Sequence, residues 1–69
     1  MNYQVLVVGP SGMTRYLCRG KEVEYENRTI YSSPSAAYRA LDAYQRAIEK
    51  LHWKVKPLLF VINKDGEYV

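Results

Sequence analysis

Apolar residues fill five of the six positions from Tyr3 to Val8 and all five from Leu58 to Ile62. Successive strand side chains point to opposite sides, so such dense short runs predict strands buried on both faces. In the first run, residues 3, 5 and 7 point one way and 4, 6 and 8 the other, with Gln4 the one polar member. Gly9-Pro10-Ser11-Gly12 predicts the turn that follows. From Thr14 to Arg19, Arg15, Leu17 and Arg19 alternate with Tyr16 and Cys18, which predicts a second strand with a turn at Gly20-Lys21. A third strand is expected from Glu22 to Ser32. Its first half sets Glu22, Glu24 and Glu26 against Val23 and Tyr25, and Asn27-Arg28 interrupts it as a bulge or a second turn.

The period then changes. Ala37, Leu41, Tyr44, Ile48, Leu51 and Val55 recur at three- and four-residue steps and draw one apolar stripe along a helix. Ser33 suits the N-cap, and Pro34 suits the first helical position, where its missing N–H costs nothing. Lys50 and Lys54 suit the negative end of the helix dipole, and Pro57 forces Lys56 to be extended. The helix is therefore expected from Pro34 to about Trp53. Asn63-Lys64-Asp65-Gly66 predicts a turn after the last apolar run, with Glu67 to Val69 as a short final strand.

This order, β-β-β-α-β, predicts an α+β fold: a small antiparallel sheet of three to five strands with one long helix packed on one face. Its 69 residues make one domain, residues 1–69. With one helix to cover one face, strands that are apolar on both sides leave a second face for loops, another copy or a partner. An uncovered apolar face marks an interaction site. Tyrosine, present seven times against one Phe and one Trp, adds to this. Tyr3, Tyr16, Tyr25 and Tyr31 all fall in expected strands. They read equally as contact residues, since Tyr offers a large area with few rotors, and as ordinary half-buried strand residues.

The net charge is +3, which permits nucleic acid or an acidic protein as a partner without demanding either. Arg15 and Arg19 share a face of the second strand. Arg39, Arg46, Lys50 and Lys54 share a helix face opposite the apolar stripe, with Asp42 and Glu49 able to pair locally. Glu22, Glu24 and Glu26 read as a solvated strand edge.

Chemistry-bearing motifs are sparse. Gly9 and Gly12 are separated by two residues and followed by Met13, whereas a phosphate-binding loop needs four residues between its glycines and then Lys. His52 is the one histidine and has no second ligand at metal spacing. Cys18 is the one cysteine, so it forms no internal disulfide and reads as a small buried hydrophobe in a reducing cytoplasm. No stretch approaches the roughly 20 apolar residues of a membrane span. No catalytic residue, cofactor or metal site is expected.

Thr29-Ile30-Tyr31-Ser32-Ser33 leading into Ala36-Ala37-Tyr38, after a three-strand meander, resembles the arm-type DNA-binding domain of phage and transposon integrases. In that family basic and polar side chains of the sheet enter the major groove, a role Arg15 and Arg19 could match. Glu22, Glu24 and Glu26 depart from the pattern, because strand carboxylates repel phosphate. The size and β-β-α-β order also resemble small phage-encoded inhibitors of host defence, including anti-CRISPR proteins. That resemblance implies a non-enzymatic protein that occupies a surface of a larger complex.

The sequence thus leads to a cytoplasmic, non-enzymatic protein-binding module with no membrane partner. Its expected contact residues are Tyr3, Tyr16, Tyr25, Tyr31, Arg15, Arg19, Arg39, Arg46 and Lys50. A small nucleic-acid-binding protein and a homodimer through the second sheet face are the alternatives.

Overall fold

The computed structural model describes residues 2–69. Strands β1 (Tyr3–Val8), β2 (Thr14–Cys18) and β3 (Lys21–Val23) form a meander. Helix α1 (Pro34–Lys50) follows, and β4 (Leu58–Asn63) returns to the sheet. All pairings are antiparallel, and the order is β3-β2-β1-β4. The two apolar runs, β1 and β4, lie side by side over six register pairs from Tyr3↔Asn63 to Val8↔Leu58. The expected α+β fold is what forms, and no helix is long and apolar enough to cross a membrane.

The helix begins where the sequence placed it. Ser33 is extended, its hydroxyl oxygen accepts from the Ala36 amide at 3.2 Å, and Pro34 opens the first turn. Ala37, Tyr44 and Ile48 meet Val5, Leu17 and Val61 in the core, with Leu41 beside them. The helix ends earlier than expected. Leu51 is its C-cap and His52, at φ 55°, turns the chain out of the helical path. Residues 51–57 are needed to cross from the helix layer to the sheet. Leu51 and Val55 therefore leave the apolar stripe and stay exposed.

The second hairpin turns at Arg19-Gly20, one residue before the expected Gly20-Lys21. Both residues have positive φ, 52° and 78°, the backbone that a two-residue hairpin needs to match strand twist. The third strand is much shorter than expected. After Val23 the chain enters a single 3₁₀ turn over Tyr25–Asn27, which is how the Asn27-Arg28 interruption resolves. It then swings back along the sheet: the Thr29 amide donates to Leu17 at 3.2 Å. Tyr31 bridges Tyr3 on the side where β2 would otherwise continue.

The expected last strand is reduced to one bridge, Ile62↔Tyr68, flanked by amide donations from Asn63 to Glu67 (2.9 Å) and from Val69 to Val61 (3.0 Å). Asn63 builds the turn, its Oδ1 accepting from the amides of Asp65 and Glu67 at 2.9 and 3.0 Å. The Tyr38 hydroxyl donates to the Val69 carbonyl and ties this tail to the helix.

Candidate interaction surface

Residues opposite one another in a sheet share a face. Val5 and Val61 are partners, and both pack on the helix with Leu17, so their strand neighbours point the other way. The registers Tyr16↔Val23, Leu6↔Tyr16 and Leu6↔Phe60 then define one row, Val23–Tyr16–Leu6–Phe60, across all four strands. Val8 and Leu58 form the next pair along. None of these six side chains is charged. Leu6, Val8, Tyr16, Val23 and Phe60 are half-buried by one another, and Leu58 is exposed. Gln4 and Ile62, partners at the other end of this face, are buried.

An aromatic pair stands at each side of the row. Tyr16 and Tyr25 meet edge to face, with centroids 5.4 Å apart. The Arg28 guanidinium lies 3.7 Å above the Tyr25 ring, and its Nη1 donates to the Tyr25 carbonyl at 2.8 Å. The two contacts hold a cation over an aromatic face and fix the exposed ring. On the far side Phe60 and Tyr68 stack with centroids 5.0 Å apart. The tail bridge at Ile62↔Tyr68 carries Tyr68 to this face.

The tyrosines singled out in the sequence do not form one surface. Tyr16 and Tyr25 belong to the open face, whereas Tyr3 and Tyr31 pair with each other and pack against the core on the helix side. Burial is the leading cause that raises the Tyr31 phenol above its ordinary value. The basic residues are dispersed as well. Arg15 points to the helix side, opposite Val7, and its Nη1 meets the Glu24 carboxylate at 3.3 Å. Arg19 sits in the hairpin turn. Arg39, Arg46 and Lys50 are exposed on the helix, and Arg46 pairs with Asp42 at 3.0 Å. The outer helix surface and the open sheet face are on opposite sides of the molecule.

Glu22 corrects the expectation of a solvated acidic edge. It is the register partner of Leu17 and so faces the helix. There its Oε2 accepts from the Tyr44 hydroxyl at 2.5 Å. Desolvation, and then this bond to a carboxylate, hold the Tyr44 phenol well above its ordinary value. Cys18 is free and half-buried on the open-face side.

Leu6, Val8, Val23, Phe60, Leu58, Arg28 and Tyr68 lie on or beside the open face and are not among the residues that the sequence singles out. The alternation that put residues 4, 6 and 8 on the second side of β1 was the signal for Leu6 and Val8. Joining them to Val23 and Phe60 requires the register. Among the described residues, no three His, Cys, Asp or Glu side chains gather as a metal site would. Comparison with protein families, curated proteins and solved structures finds no match to this chain.

Proposed function

We propose that this chain is a protein-binding module that docks through the open face of its sheet onto an apolar surface of a protein partner. The observation that carries this reading is the row Val23–Tyr16–Leu6–Phe60, apolar across every strand and on the side away from the one helix. Its anatomy is that of a contact patch: an uncharged centre, rigid aromatic rings at the sides and one arginine at the rim. A sharper form follows from the resemblance to small phage inhibitors, in which the partner is a larger complex whose working surface is occluded. That form predicts loss of the partner's activity at stoichiometric addition.

The test is capture of a partner by the immobilised full chain, compared with Leu6→Lys, Tyr16→Ala and the helix variant Arg39→Ala. Retention should fall with the first two and persist with the third, while circular dichroism shows all of them folded. Equal capture by all variants would remove the open face as the site. A dimer by light scattering that Leu6→Lys converts to monomer would replace the partner with a second copy.

A further inference from the structure

Of the five basic residues expected as contacts, two are paired, Arg15 with Glu24 and Arg46 with Asp42, and Arg28 on the open face lies over Tyr25. The segment that connects α1 to β4 differs. From Lys50 it reads Lys-Leu-His-Trp-Lys-Val-Lys, and no acid occurs between Glu49 and Asp65. The other seven basic residues match the seven acids in number, so Lys50, Lys54 and Lys56 account for the whole net charge of +3. Among the described residues none of these lysines has an ion-pair partner.

Set among them is the chain's one tryptophan, Trp53, which is 41% exposed. Leu51 and Val55 flank it at 61% and 60%. A hollow of about 260 Å³ opens beside the segment, lined by Gln45, Ile48, Lys56, Pro57, Leu58 and Leu59. An indole offers a π-face to any unpaired base, and lysines beside it neutralise the backbone phosphates. Apolar neighbours suit the edges of sugars and bases. The open sheet face has no comparable charge, so this is a second surface with a different chemistry.

We infer that the segment Lys50–Lys56 is a binding site for single-stranded nucleic acid, with Trp53 stacking on a base and Lys50, Lys54 and Lys56 meeting phosphates. Its stacking and charged residues are not part of the docking face proposed above, which it adjoins at Leu58.

Trp53, being the one tryptophan, reports directly. Titration of the full chain with a short oligothymidylate should quench its emission. The binding constant should fall with salt at a log–log slope of about −2, from three phosphates at about 0.7 each. By anisotropy of a labelled oligothymidylate, Trp53→Ala should bind about tenfold more weakly, as loss of one stacked base requires. Lys54→Gln with Lys56→Gln should cut the slope to about −0.7. Leu6→Lys should bind as the native chain does, which separates this site from the docking face. No response to the oligonucleotide at low salt would overturn the assignment, as would undiminished binding by Trp53→Ala. Equal affinity for poly-L-glutamate would reduce the segment to an unspecific polycation. An emission shift on anionic phospholipid vesicles without any response to the oligonucleotide would reassign it to a lipid surface.

Discussion

The two faces of one sheet are built from the same strands, and often from adjacent residues. Val5, Val7, Leu17 and Val61 on the helix side retain 0–2% of their exposure. Leu6, Tyr16, Val23 and Phe60 on the other side are only half-buried. Residue type does not separate them, since both sets are aliphatic or aromatic. What separates them is the partner layer. The helix side has Ala37, Tyr44 and Ile48 set into it, while the open side is buried at its Gln4–Ile62 end and elsewhere has its edge rings, Tyr25 and Tyr68, leaning inward. An apolar strand residue thus states that burial is needed and leaves open what supplies it.

The largest expected effect breaks the comparison most directly. Leu17→Ala should cost about 2–5 kcal/mol, because it empties a fully packed site. Leu6→Ala on the open face should cost less, about 1–2 kcal/mol, since that side chain is only partly buried. Urea denaturation of the pair measures the gap. Equal losses would mean that the open face is covered in solution, by a second copy above all.

A middle-sized effect concerns the polar contact at the edge of the helix side. Tyr44→Phe removes the donor to Glu22 and should cost about 1–2 kcal/mol. The Tyr44 phenol is held above its ordinary value of 10.0, so above pH 10 the unfolded chain carries fewer protons than the folded one. Native stability should be complete below about pH 10 and decline as pH rises beyond it. In Tyr44→Phe that decline should be shallower. An identical alkaline slope in both proteins would show that Tyr44 does not govern it.

The smallest effect sharpens the open side. Arg28→Ala removes the cation above Tyr25 and should cost about 0.5–1 kcal/mol. It should also free the Tyr25 ring, visible as averaged ring shifts by NMR, whereas the Tyr44 ring stays fixed. A fixed Tyr25 ring in the variant would mean that the edge contact with Tyr16 is sufficient.

Much of the fold was legible along the chain because its signals are local. The bounds of β1, the Ser33-Pro34 start of the helix and the Gly66 turn each rest on a few neighbouring residues. Errors arose where distant residues decide. Glu22, Glu24 and Glu26 have the spacing of a solvated strand edge, yet Glu22 lies opposite Leu17 and finds Tyr44 on another element. Leu51 and Val55 keep the helical period, but the chain must leave the helix there to reach β4. Of the residues on the open face, Tyr16 and Tyr25 are among those that the sequence singles out. Phe60, Tyr68 and Arg28 are not, since each is brought to the open face by a register, a tail bridge or a 3₁₀ turn.

The sequence by itself determined that the strands are apolar on both sides and that one helix must cover one of them. Periodicity and composition contain that much, because side-chain direction follows directly from backbone period. Which side the helix covers, how four tyrosines divide between two faces and which basic residues meet an acid were decided only by the tertiary structure. Those outcomes depend on strand register and on the path of the connections, which bring together residues that no local rule relates.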